Sequence, residues 1–130
     1  MVIDTSALVA ILQDEPERRA LARAIRRDPV RRMSAATLVE AGIVMEGRRA
    51  DAGRRALDRL LERSDIEVVP LTAAHADLAR DAFRRFGKGQ HPARLNFGDC
   101  FAYALATALV EPLLFVGDDF GQTDVAVAAY

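Results

Sequence analysis

The apolar residues of this chain change period as they run. Val2-Ile3 is a short apolar run that closes on Asp4, which reads as a strand ending in an acid. Thr5 and Ser6 are placed to cap a following helix over roughly residues 7–13. Pro16 suits the first turn of a second helix, and Ala20, Leu21, Ala24 and Ile25 recur at helical spacing. Asp28-Pro29 ends it. Arg32-Met33-Ser34 is a brief strand between helices. Thr37 to Glu40 has the form of a capping box, predicting a helix to about Arg48. Another helix runs from Asp51 to Arg63, with Leu57, Leu60 and Leu61 on one face.

Glu67-Val68-Val69 reads as a strand stopped by Pro70, and Thr72 caps a helix to about Phe86. Gly87 to Pro92 is a loop. Asn96 caps a helix carrying Phe101, Leu105 and Leu109 on an apolar side, with Pro112 as its stop. Leu113 to Val116 is wholly apolar, the mark of a strand buried on both faces. Gly117-Asp118-Asp119 turns out of it, and residues 125–127 suit a last strand. Short apolar strands alternating with helices predict an α/β fold with a mostly parallel central sheet.

Length adds that this is one domain: 130 residues, 51% hydrophobic, suffice for one core and leave little for a second. One cysteine excludes an internal disulfide framework or a CxxC zinc site. No run approaches the roughly 18 apolar residues of a membrane span, and the first residues carry no signal-peptide pattern, so the expectation is a cytoplasmic protein without membrane contact. The net charge of -1 hides an asymmetry. All 18 Lys and Arg lie between Arg18 and Arg94, whereas both ends are acidic. Acids flanked by basic walls suit a metal site that handles a polyanion. Solvated helix faces account equally well for many of the arginines.

Ligands of an open parallel sheet bind outside the carboxyl ends of its strands. Asp4 ends the first strand, Glu40 follows the second, Asp99 lies in the first turn of the Asn96 helix, and Asp118 and Asp119 follow Leu113–Val116. About four carboxylates would gather at one edge. Such a cluster repels itself unless a cation sits within it, and oxygen-only ligation favours Mg²⁺ or Mn²⁺ over Zn²⁺. Phosphoryl chemistry is the use that suits such an ion. Taken singly, Glu40 also serves as a cap partner, Asp99 as a dipole complement, and Asp118 and Asp119 as turn formers. Asp4 is the hardest to explain away, because a charge beside Val2 and Ile3 is costly unless compensated.

These residues carry a resemblance. Val2-Ile3-Asp4-Thr5-Ser6-Ala7-Leu8, Ser34 to Ala41, Leu95-Asn96-Phe97-Gly98-Asp99-Cys100 with the helix to Ala106, and Leu113 to Phe120 together resemble a PIN-domain ribonuclease of the VapC toxin type. The resemblance implies a single three-layer Rossmann-like domain over residues 1–130 and Mg²⁺- or Mn²⁺-dependent cleavage of RNA. It makes Asp4 and Asp99 the main metal ligands, with Glu40 assisting. The fourth acid is Asp118 or Asp119, with Asp118 preferred as nearer the strand. Thr5 or Ser6 would hydrogen-bond a ligand carboxylate or a water. A VapB-type antitoxin and a homodimer are the partners it implies.

Lys88, His91 and Arg94 flank the glycine loop and are candidates for phosphate contact, against the alternative of a flexible solvated loop. His75 reads as a surface or capping residue, Cys100 as a non-nucleophile, and Phe83, Phe86, Phe101 and Phe115 as core. A receiver-type phospho-acceptor domain fits poorly, since the single lysine, Lys88, precedes a helix rather than following a late strand. A non-catalytic domain whose acids bind a cation or a basic peptide is the alternative to a nuclease.

Overall fold

Two residues of strand carry the centre of the molecule. Val2–Ile3 (β1) pairs in parallel with Arg32–Ser34 (β2) on one side and Leu113–Leu114 (β4) on the other. Glu67–Val69 (β3) adds to the outer side of β2, giving a four-stranded, wholly parallel sheet in the order β3-β2-β1-β4. The computed structural model describes residues 1–130.

Alternation along the strands divides the core into two layers. Ile3, Met33 and Leu114 face one side, where they meet Leu8, Leu21, Ile25, Met45 and Leu57. These come from helices Thr5–Leu12 (α1), Arg18–Arg27 (α2) and Ala35–Arg63 (α3). Val2 and Leu113 face the other side, against Ala82, Phe86, Tyr103 and Leu105 of Ala73–Phe86 (α4) and Phe97–Leu109 (α5). Three layers result, as the resemblance implies, and every crossover returns the chain so that each strand ends at the same edge.

Several local expectations are corrected. Asp4, not Thr5 or Ser6, caps α1: its backbone is extended and its side chain accepts from the Ser6 N–H. The second helix starts at Arg18, beyond Pro16. Ser34 caps α3 by accepting from the Ala36 N–H, so Thr37 lies inside the first turn and forms no capping box with Glu40. The two helices expected over 37–63 are one α3 broken at Arg49 and Ala50, whose backbones are not helical. Gly53 sits against the Met45 carbonyl across that break, where a Cβ would overlap the backbone oxygen. The first half of α3 therefore stops just after Arg48.

At the other end, α5 finishes at Leu109 because Val110 turns left-handed (φ 54°), before Pro112 is reached. The last strand shrinks to one bridge, Leu113 to Val127, held by the Leu113 N–H to Ala126 and the Ala128 N–H to Leu113. Phe83 is exposed on α4 rather than buried. The Gly87–Pro92 loop is ordered: the Lys88 N–H donates to Leu95, the Leu95 N–H to Phe86, and the Gln90 and His91 N–H groups both to Gly87. His91 packs edge-on against Phe86 and accepts from the Ala93 N–H through Nδ1.

Many arginines pair with acids one helical turn away, such as Arg18 with Asp14 and Arg55 with Asp51. Such exposed pairs are worth at most about 1 kcal/mol each. No helix is long and apolar enough to cross a membrane.

Candidate active site

A depression of about 320 Å³ opens at the carboxyl edge of the sheet. Asp4, Thr5, Ser6, Glu15, Glu40, Arg48, Asn96 and Asp99 line it, with Val9, Val44 and Val116. Topology brings them together: β1 ends at Asp4, β2 leads directly into α3, and α5 starts at the same edge. A larger depression, about 540 Å³, lies between α2 and the C-terminal tail and gathers no comparable set of acids.

Asp4 is 3% exposed. Its Oδ2 accepts from both the N–H and the hydroxyl of Ser6, at 2.8 and 2.7 Å. Its Oδ1 is buried and has no partner. Burial pushes its carboxyl above the usual range, the Ser6 hydrogen bonds pull it back, and the Glu40 charge raises it further. Ser6 in turn accepts from the Val116 N–H at 3.0 Å, tying the acid to the end of the β4 segment.

Glu40 is half-buried, and its Oε2 accepts from the Thr5 hydroxyl at 2.6 Å. Thr5 and Ser6 thus divide the labour, each holding a different carboxylate. Across the pocket the Glu40 carboxyl lies against Gly98, where a Cβ would overlap it. A bare backbone at the start of α5 is what lets the acid lie there.

Asp99 does two things. Its Oδ2 accepts from the Asn96 N–H at 2.7 Å, while the Asn96 side chain accepts from the Asp99 N–H, a reciprocal cap of α5. Its carboxyl is nevertheless raised to about 6, chiefly by burial and then by the charges of Asp4, Glu40 and Asp119. A cap and a member of an acidic cluster are the same residue here.

Asp118 and Asp119 are exposed on the turn beyond β4, outside the lining of the pocket. The charge of Asp119 is among those that raise Asp99. Glu15, from the turn between α1 and α2, and Arg48, from α3, line the pocket without having been singled out by the sequence. A local signal existed for Arg48: it stands eight residues after Glu40, on the same helical face. Glu15 had none, because only tertiary folding brings that turn to the strand ends.

Three features fit a divalent cation: a buried carboxylate oxygen with no donor, mutual repulsion among the acids, and an all-oxygen donor set. In the present side-chain positions no three acidic, histidine or cysteine groups converge as a ligand set. Glu40 turns to Thr5, and Asp99 turns to the Asn96 backbone. Cys100 is no nucleophile: burial raises its thiol to about 11, and it donates to the Asn96 carbonyl. His75 closes the cap of α4 with Thr72, far along the chain from the acids.

This fold and acidic edge define a class, and comparison with known proteins states which. The PIN domain family profile matches residues 1–126. The chain belongs to the PIN domain family. Within it, Ribonuclease VapC of Mycolicibacterium smegmatis is 55% identical over 126 residues, covering 97% of this chain and 98% of that protein. Ribonuclease VapC30 of Mycobacterium tuberculosis is 49% identical over 129 residues, covering 99% and 98% respectively. Among solved structures, the sarcin–ricin-loop-cleaving toxin VapC20 of Mycobacterium tuberculosis superposes with a TM-score of 0.80 over 99% of this chain and 98% of its own, at 17% identity. VapBC2 of Rickettsia felis, solved with a fragment of promoter DNA, gives 0.70 at 16% identity, covering 97% and 94%. At those identities the two structures speak for the fold.

Proposed function

We propose that this chain is an endoribonuclease that hydrolyses RNA phosphodiester bonds and acts as the toxin of a toxin–antitoxin pair. The carrying observation is the bare, buried Asp4 Oδ1 at the carboxyl end of β1, with Glu40 and Asp99 around it. The cap of α1 uses only the other oxygen of Asp4, so a buried Oδ1 left bare is a cost with no structural return. The names of its half-identical relatives point to RNA as the substrate.

Asp4 and Asp99 are the principal ligands of a Mg²⁺ or Mn²⁺ ion in this reading, with Glu40 completing the set. Asp118 or Asp119 supplies the fourth acid, and the charge of Asp119 is among those that raise Asp99. When bound, such a cation supplies activation of water and neutralisation of phosphate charge. The chain's own residues do the positioning. Ser6 fixes one oxygen of Asp4 and leaves the other pointing free. Thr5 holds Glu40, and the Asn96 amide holds Asp99 while that residue's other oxygen remains available.

The acidic pocket also supports a partner of the VapB antitoxin type, since a basic side chain compensates these carboxylates as a cation does. The solved VapBC2 assembly is consistent with that pairing. A homodimer and residence in the cytoplasm complete the reading.

The test is cleavage of purified total RNA followed by mapping of new ends. Discrete cuts with Mg²⁺ or Mn²⁺, absent with chelator and absent in folded Asp4→Asn, are the expected result. Intact RNA under every metal condition, from folded wild-type protein, would turn the reading toward a non-catalytic acidic binding domain.

A further inference from the structure

The pocket holds four carboxylates (Asp4, Glu15, Glu40 and Asp99) and one cation, Arg48. Arg48 is exposed and makes no ion pair with any of them, although Arg54 and Arg55, just along the same helix, both pair with Asp51. An arginine beside four acids that pairs with none is available to an external anion. Its guanidinium offers a planar fork of donors matched to phosphate oxygens.

Position strengthens the argument. Glu40, Val44 and Arg48 follow one another on a single face of α3, and all three line the pocket. Eight residues separate the acid from the arginine, about 12 Å of helix axis. Helical side chains lean toward the N-terminus, so Arg48 reaches back toward the acids. The helix is broken immediately beyond it, at Arg49 and Ala50, and the close packing of Gly53 on the Met45 carbonyl holds that break. Arg48 therefore stands at the carboxyl end of a helical segment, where the dipole favours a cation.

A polynucleotide strand entering this pocket brings more than one phosphate. The scissile phosphate lies at the acids, where a divalent ion offsets their charge. On the α3 side of the pocket the strand passes Glu15, and the one cation lining that side is Arg48. We propose that Arg48 holds the RNA phosphate next to the scissile one and so sets the register of the strand in the site. This rests on the ribonuclease reading above. Arg48 is a positioning residue: it grips the backbone without sequence preference.

The experiment measures binding of a fluorescein-labelled single-stranded RNA by anisotropy at fixed Mg²⁺, in an Asp99→Asn background that does not cut. KCl is varied between about 50 and 200 mM. Arg48→Ala is expected to weaken binding about tenfold at the lower salt and to reduce the log–log salt slope by about 0.7–1, with Arg48→Lys restoring most of both. Arg23→Ala, an unpaired arginine on α2 outside the pocket, controls for net charge and is expected to leave the slope nearly unchanged. Circular dichroism melts check that all variants are folded. Equal affinity and slope for Arg48→Ala and its parent would overturn the role of Arg48 alone, as would an equal effect from Arg23→Ala. A parent that binds no RNA, and a wild type that cuts none, would overturn the ribonuclease reading and Arg48's role with it.

Discussion

Replacing Asp4 by Asn should destroy activity and yet stabilise the metal-free protein. Asp4 is 3% exposed, with one oxygen held by Ser6 twice and the other bare. Asn has the same shape. Its carbonyl oxygen keeps both Ser6 hydrogen bonds, and its amide replaces the bare oxygen, also without a partner. What disappears is the buried negative charge and its repulsion by Glu40 and Asp99. A buried polar group left unsatisfied costs about 1–3 kcal/mol, more when charged, and the amide retains part of that. A net gain of about 1–2 kcal/mol follows. At this chain length it corresponds to a Tm rise of roughly 3–10 °C.

The sign with pH is defined. The folded carboxyl is raised, so the folded state binds the proton more tightly than the unfolded chain does. The contribution of Asp4 to wild-type stability is greatest at acid pH and is lost as pH rises through the raised value, so the advantage of Asp4→Asn grows with pH. Calorimetry at neutral pH in chelator, repeated with Mn²⁺, checks it. The wild type should recover about 2.7 kcal/mol when the ion is at a hundred times its Kd, and Asp4→Asn far less, reversing the order of the two melts. An Asp4→Asn protein that melts below wild type in chelator would refute the reasoning, because Asp4 would then be a structural residue whose charge is compensated.

Three further outcomes are expected. Gly98→Ala should leave Tm unchanged or slightly raised, since Ala is worth about 1 kcal/mol in a helix, while cleavage falls at least tenfold because Glu40 is displaced; full activity would show that its position does not matter. In chelator, Asp99→Asn should remove part of the wild type's loss of stability between about pH 4 and 7. The raised value of about 6 makes this loss about 1–2 kcal/mol after discounting for solvent, and parallel pH–Tm curves for the two proteins would count against it. Val110→Asn should add about 1 kcal/mol in urea unfolding, because a β-branched residue held left-handed and 91% exposed gives up strain without losing packing.

Much of the fold was written locally. Val2-Ile3, Met33 and Leu113-Leu114 are apolar at positions that only a covered strand needs, and the helices carry their stripes and caps beside them. The candidate acids were legible for the same reason: an acid directly after an apolar strand lies at the carboxyl edge of a parallel sheet whatever the rest does. Errors arose where two short-range readings competed. Ser34 outbid Thr37 as the cap of α3, which freed Glu40 from a capping box and gave it to Thr5, thirty-five residues away.

Asp99 shows where either-or reasoning fails, because a carboxylate has two oxygens and can cap a helix with one while presenting the other. The choice between Asp118 and Asp119 was out of reach of sequence. Both follow β4 and both are exposed on the turn beyond it.

By itself, then, the sequence determined the class of fold, the order of its elements and the edge at which the acids collect. Those depend on the period of apolar residues and on chain direction, which are local properties. Tertiary structure alone decided which oxygen of Asp4 is left bare, that Gly98 makes room for Glu40, and that Glu15 and Arg48 join the pocket. These are contacts between segments remote in the chain. Their geometry is set by close packing of the layers, which no periodicity encodes.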